Sequence, residues 1–264
     1  MEDIKIKMEK DFLMYQLSNE TIAGMTFKSA GNYQTKDRIF SLDILQYFQL
    51  YKSVQLKNRL ITIHNSTYGK VSFFKEAITP PPLISADGII YRGIGGVIFF
   101  PGGCPIIAFA NTKANLSGIM HVSWKSLGAG IINNFIDLWE KCGGKIIETK
   151  IQILPAMCKE CLNFPKEYYQ NAIAPTIRHS FPEEIISQFT KNNEKKIELD
   201  LIGLIQFALK QKGYLAKKAH ECTCCSKKYW RYLCDDRNGK KHRNAAFVLT
   251  APSLPFSDSP PFAF

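Results

Sequence analysis

Apolar residues along this chain fall into two kinds of run, and the two predict different elements. Short unbroken runs occur at Ile89–Tyr91, Val97–Phe100 and Ile106–Ala110, and in a further segment that ends at His121. Runs of this length, bounded by Gly, Pro or Asn, read as strands with both faces buried. Leu60–His64 alternates apolar and polar positions with β-branched residues and reads as a strand ending at His64. Asn65–Gly69 is a turn into the next strand, Lys70–Phe74. Residues 12–28 read as one or two short strands, broken at Asn19 and Gly24. Ile146–Leu154 is a strand stopped by Pro155, and Tyr229–Leu233 and Ala245–Leu249 are closing strands.

Spacings of three and four mark the helices. One starts at Ser41, with Ile44, Leu45, Phe48 and Tyr51 on its face. A second is capped by Ser126 and runs to Lys141; it buries Ile131, Ile132, Phe135, Leu138 and Trp139 and stops at Gly143–Gly144. Residues 164–172 and 182–190 read as short helices. Leu199–Gln211 carries a stripe of Leu201, Ile202, Ile205, Ala208 and Leu209, and Gly213 stops it. Thr79–Pro82 is a proline-rich connection that cannot enter a sheet centre. Strands and helices mix without a steady βαβ alternation, so the expected class is α+β in a single domain.

The chain has 264 residues, 45% of them hydrophobic, enough for one large core. No apolar run reaches the roughly 18 residues of a membrane span, so no membrane partner is expected. The opening MEDIKIKMEKDF lacks the apolar stretch of a signal peptide. With eight unevenly spaced cysteines, this points to the cytoplasm and to free or metal-bound thiols. The formal charge of +11 favours an anionic partner, and short Lys/Arg groups late in the chain supply much of it. No P-loop, His-Glu-x-x-His or Gly-x-Ser-x-Gly motif is present.

The chemistry concentrates between residues 101 and 130. Cys104 lies in a Pro/Gly turn at the mouth of one strand, and His121 ends the next. A thiol and an imidazole on rigid elements serve either as metal ligands or as nucleophile and base. The second option defines a cysteine hydrolase or deamidase, and it leaves His64 without a role. Elsewhere, Cys158 and Cys161 are spaced Cys-x-x-Cys, and Cys222, Cys224, Cys225 and Cys234 cluster later. A four-thiolate zinc site is one reading of these, although the pairs lie further apart than in a zinc ribbon and Cys-Thr-Cys-Cys is not the usual second half. A basic nucleic-acid-binding module is the remaining class; no nucleic-acid partner is expected, because the aromatic-plus-basic surface signature is missing.

From about residue 20 to 250 the chain resembles the multicopper polyphenol oxidoreductase, or laccase-domain, family, also described as purine nucleoside phosphorylases. The residues that carry the resemblance are Thr62-Ile63-His64, Ala86-Asp87-Gly88, Gly102-Gly103-Cys104-Pro105 and His121-Val122-Ser123-Trp124-Lys125-Ser126, followed by Leu154-Pro155-Ala156, Asp200-Leu201, Cys222-Thr223 and His242-Arg243. The resemblance implies a mixed β-sandwich flanked by helices over residues 1–250; the Pro/Ser-rich composition of residues 251–264, with isolated phenylalanines, reads as a Pro/Phe-containing tail. The resemblance also implies a metal site of His64, Cys104 and His121, holding zinc, or copper in the older oxidase description. The implied partners are purine nucleosides and inorganic phosphate, with phosphorolysis of adenosine, inosine, guanosine or methylthioadenosine and deamination of adenosine as a second activity. Lys28 and Lys125 align with family arginines; with Arg243 they are the candidates to hold phosphate. Blue copper would add an axial Met, and Met120 points to the opposite face if its segment is a strand.

The chain also departs from the family pattern. Thr62 replaces a Gln, Gly103 replaces the Asp before the Cys, and Lys28 and Lys125 give point charges where Arg gives a fork. Loss of a carboxylate at Gly103 is expected to remove a group that orients the metal ligands.

Overall fold

A computed structural model describes residues 4–8, 11–30, 60–65, 69–74, 83–230 and 243–251; for residues 60–65, 83 and 84 it describes the backbone only. The chain opens with β1 (Lys5–Met8), β2 (Phe12–Gln16) and β3 (Thr21–Thr26), and resumes with β4 (Leu60–Asn65), β5 (Val71–Phe74) and β6 (Leu83–Ser85). Four strands joined by short turns follow: β7 (Gly88–Arg92), β8 (Gly95–Phe99), β9 (Ile106–Asn111) and β10 (Leu116–His121). Two helices, α1 (Trp124–Gly128) and α2 (Ile131–Lys141), lead to β11 (Thr149–Ile153) and β12 (Asn163–Pro165). A helical run over 166–178 with a π-turn at Tyr169–Ile173 precedes α3 (Glu183–Gln188), β13 (Thr190–Asn192), β14 (Lys196–Leu199), α4 (Leu201–Gln211), β15 (Ala216–Lys218) and β16 (Ala246–Thr250).

These strands build a seven-stranded sheet in the order β1-β2-β3-β16-β8-β4-β6 and a six-stranded sheet in the order β15-β11-β9-β10-β7-β5. A small sheet, β12-β14-β13, stands apart. The period-2 geometry of strands divides the unbroken apolar runs between two cores. Ile89, Tyr91, Ile106, Ala108, Ala110 and Ile119 face the seven-stranded sheet and meet Leu13, Met25, Val97, Phe99 and Val248. Ile90, Ile107, Phe109 and Met120 face the helices and meet Ile132, Phe135, Trp139, Leu204 and Leu209. The central strands therefore contribute to both layers, which is why their sequence does not alternate. The result is the α+β class that the run pattern predicts, in the sandwich flanked by helices that the family resemblance implies.

Several local expectations are corrected. Ser123, not Ser126, caps the helix after His121: its side chain accepts from the Ser126 N–H, and Ser126 Oγ accepts from the Ser123 N–H, a reciprocal capping box. The predicted helix of 126–141 is split in two by Gly130 in the left-handed region. Ile146–Glu148 is a 3-10 turn, and the strand begins at Thr149. Residues 163–165 pair in the small sheet before the helical run begins. Tyr229 and Trp230 are not in a strand; the rest of that segment lies outside the described residues, as do the helix from Ser41, the Thr79–Pro82 connection, residues 66–68 of the first turn and residues 252–264 of the tail.

One end of the sandwich gathers the chemistry. Register pairs Met25 with Ala246, Ala246 with Phe99, and Phe99 with Ile63 in one row across the large sheet. Beyond that row the chain continues to Lys28, back to Arg243, into the Cys104 turn, and to His64. In the second sheet β7 begins, β9 begins and β10 ends on the same side, placing Asp87, Cys104 and His121 there. The opposite end is pinned by hydroxyls instead: Tyr91 Oη and Ser117 Oγ lie 3.0 and 2.7 Å from Thr250 Oγ1.

Candidate metal centre

His121 is buried and is positioned from three directions. Its backbone N–H donates to Asp87 O at 2.7 Å, and it pairs across the β9–β10 ladder with Ile106. Its Nδ1 donates to Asp87 Oδ1 at 3.0 Å, since a carboxylate only accepts. Its ring stacks on Phe99, with centroids 4.6 Å apart and planes at 19°. Asp87 is fully buried, and its Oδ2 accepts from the Gly69 N–H at 3.0 Å, so both carboxylate oxygens are engaged. Fixing the proton on Nδ1 leaves Nε2 as the ring nitrogen available to a metal or substrate.

Cys104 comes from the turn between β8 and β9, two residues before the cross-strand partner of His121, and its thiol lies within hydrogen-bonding reach of the imidazole. Burial opposes a charge on His121, yet the hydrogen bonds to Asp87 and Cys104 and their negative charge outweigh it, and the imidazole pKa is raised to about 9. The thiol belongs to a free cysteine. His64 lies on β4, at an irregularity where the pairing with β6 shifts between Ile63 and Asn65, one residue past the partner of Phe99. Bulges of this kind re-aim side chains near functional sites. The side chain of His64 itself lies outside what is described.

Asp87 enters the sequence reading only as part of Ala86-Asp87-Gly88, with no role in the site. It stands there as a lone acid entering an apolar strand, and that signal marks a buried, partnered carboxylate. Asp87 orients His121 from another strand, independently of position 103. Gly103 has φ +118, and a Cβ there would sit 3.1 Å from Met157 Cε. The turn has been rebuilt around a glycine, which accepts that backbone, and a methionine packed against it.

The phosphate candidates sit at the same end of the fold. Lys28 is exposed on a short 3-10 turn, with its ammonium 5.9 Å from the centroid of Trp230. Asn244, next to Arg243, holds Trp230 by hydrogen bonds to its backbone N–H and C=O, at 3.0 and 3.1 Å. Lys28 therefore lies over the indole, and Arg243 is next in sequence to the residue that holds the Trp230 backbone. Lys125 opens α1, with its ammonium 5.3 Å from the Trp124 ring. Met120 packs in the helix-side core, facing away from His121, as expected for consecutive strand positions.

A two-layer β-sandwich with a His–Asp pair and a thiol at one end defines the class of this protein. The profile of the family described as multi-copper polyphenol oxidoreductase laccase matches residues 47–250, and the chain belongs to that family. Its fold is similar to that of the hypothetical protein YfiH from Bacillus licheniformis, at 17% identity and TM-score 0.76, covering 93% of this chain and 99% of that one. It is also similar to YlmD from Geobacillus stearothermophilus, at 16% identity and TM-score 0.76 over 94% and 99% of the two chains. Protein NMB0706 of Neisseria meningitidis aligns at 15% identity and TM-score 0.70, covering 91% of this chain and 99% of that one. No curated protein sequence matches the chain. Among the described residues, no helix is long and apolar enough to cross a membrane.

Proposed function

We propose that this chain is a purine nucleoside phosphorylase that also deaminates adenosine, working at a zinc centre of His64, Cys104 and His121. The observation that carries the reading is the Cys104–His121–Asp87 arrangement in a chain of this family. Two imidazoles and a thiolate form a donor set that suits zinc and leaves one position open. Bound there, zinc supplies Lewis acidity and an acidified water. Asp87 holds the His121 tautomer, and Phe99 holds the ring plane, so the imidazole would hold a metal without reorganising. Lys28, Lys125 and Arg243 bring positive charge to the end of the sandwich where phosphate enters. In phosphorolysis a phosphate oxygen bonds to ribose C1′ as the C1′–N bond to the purine breaks, and the leaving base takes up a proton. Cations that hold phosphate in line are the protein's main contribution to that step.

The decisive experiment incubates zinc-loaded protein with adenosine in phosphate and separates the products by chromatography. Adenine with ribose 1-phosphate supports phosphorolysis, and inosine supports deamination. No product from adenosine, inosine, guanosine or methylthioadenosine overturns the reading. The same three residues also form a thiol–imidazole–carboxylate series, which is the arrangement of a cysteine hydrolase. Fast, metal-independent alkylation of Cys104 by a small electrophile, together with that negative result, favours the hydrolase.

A further inference from the structure

A second group of cysteines, at the same end of the sandwich, takes no part in that chemistry. The sulfurs of Cys158, Cys161, Cys222 and Cys225 all lie within 4.8 Å of one another. Cys161 Sγ is 3.3 Å and Cys158 Sγ is 3.8 Å from Cys225 Sγ. A disulfide requires about 2.05 Å, and these four are free thiols. Four sulfurs placed about 2.3 Å from a tetrahedral ion stand about 3.8 Å apart, and the separations here, from 3.3 Å to no more than 4.8 Å, bracket that value.

The sequence looks irregular because Cys224 interrupts the second half; the structure uses Cys222 and Cys225, so both halves are Cys-x-x-Cys. Each half is a tight turn. The Cys161 and Leu162 N–H groups donate to Cys158 O at 3.1 and 2.9 Å, and Ser226 N–H donates to Cys222 O at 3.0 Å. The N–H groups of Cys158, Cys224 and Cys225 approach Cys222 Sγ at 3.2, 3.3 and 3.4 Å, as suits a sulfur carrying negative charge. The sheet brings the halves together. Parallel pairing of β11 with β15 continues as a bridge between Ala156 and Cys222, and Thr223 N–H donates to Ala156 O at 3.1 Å.

We infer that Cys158, Cys161, Cys222 and Cys225 bind a structural zinc ion that clips two loops together and buttresses the turn carrying Cys104. Four thiolates fill a tetrahedral shell and leave no open position, so the ion supports structure rather than turnover. The link to Cys104 is Met157, next to the first ligand. Its N–H donates to Gly103 O at 3.0 Å, and its side chain fills the space beside Gly103. This site stands independently of the purine reading.

The test uses the full chain, purified without chelator from zinc-supplemented cells, beside Cys104→Ala and a Cys158→Ser/Cys161→Ser double variant. Metal is counted by mass spectrometry, and cobalt-reconstituted protein is read by absorption. The Cys104→Ala protein is expected to keep one zinc and a tetrathiolate cobalt spectrum; the double variant is expected to carry one zinc fewer than wild type and to lose the tetrathiolate spectrum. If the double variant does not fold, thiol labelling of wild-type protein replaces it: the four cysteines are protected together and become reactive together on chelation. A Cys104→Ala protein without metal, disulfides among the four, or labelling indifferent to chelator overturns the site. Iron in place of zinc overturns the choice of metal. Faster amide exchange at residues 102–104 after chelating Cys104→Ala supports the buttress, and unchanged exchange overturns it.

Discussion

The two thiol centres of this chain sit at the same end of one sandwich and are built on opposite principles. Cys104 comes from the turn that leads into β9 and His121 from the end of the neighbouring β10, where Asp87, just before β7, holds the imidazole, and the two share a mixed nitrogen and sulfur chemistry. The four-cysteine group comes from two loops, is partly exposed, and offers sulfur alone. His121 and Asp87, at strand ends, need no metal to be brought together, because the ladder already fixes them. A site on loops has few backbone bonds of its own and needs an ion to hold it. The first arrangement suits turnover and the second suits cohesion.

The sharpest way to break this comparison is to remove one thiol from each centre. Cys104→Ala is expected to abolish nucleoside turnover and metal binding at the strand-end site while leaving the melting temperature close to wild type. Cys161→Ser is expected to do the reverse: one metal equivalent is lost and the melting temperature falls by several degrees, about 2–4 °C for each kcal/mol lost in a chain near this size. Metal analysis, calorimetry and product assays on the two variants check the contrast. Equal loss of turnover in both would show a single coupled centre.

Asp87→Asn probes the strand-end site more gently. An amide cannot stabilise a positive imidazole as a carboxylate does, and it can flip to offer the wrong group to Nδ1. Metal affinity or activity is expected to fall about 10- to 100-fold, the usual effect of removing such a partner. The His121 pKa is expected to drop from its raised value, since the hydrogen bond that counters burial is lost. Titration of the imidazole by NMR in metal-free protein measures this directly.

How far the sequence could be read follows from the same contrast. Continuous apolar runs at Val97–Phe99 and Ile106–Ala110 announced central strands, and the Cys104 and His121 spacing announced a site, because both depend on local order. Asp87 needed a third strand to reach His121, and nothing in its neighbours shows that pairing. Cys222 and Cys225 needed the β11–β15 pairing to choose them over Cys224, and a spacing rule tuned to contiguous zinc ribbons gave no such choice. Ser123 displaced Ser126 as the cap for a local reason: a serine three residues on completes the reciprocal pair, and both serines fit the pattern until the geometry assigns them.

The pH dependence of the metal-free chain has a defined sign. A folded-state pKa of about 9, against about 6.5 unfolded, means that the His121–Asp87 pair stabilises the fold fully below pH 6.5. That contribution fades as pH rises through 9. Metal binding runs the other way, because zinc must displace the His121 proton. For that proton alone, affinity is expected to rise by up to about tenfold per pH unit between pH 7 and 9 and then level off. Zinc titrations against a competing chelator across this window check it, and an affinity flat in pH would place His121 outside the coordination shell.

The smallest effect on activity is expected from restoring the family's acid at position 103. Gly103→Asp places a side chain on a backbone with φ +118 and drives its Cβ to 3.1 Å from Met157. Backbone strain of this type costs about 1–3 kcal/mol. Asp87 already supplies the carboxylate that orients His121, so the new acid has no empty role to fill. The variant is expected to melt lower without turning over faster. A gain in turnover would show that the glycine marks a weakened site; stability lost with turnover unchanged would show that Asp87 alone is enough to orient His121 and that the Met157-packed turn needs its glycine.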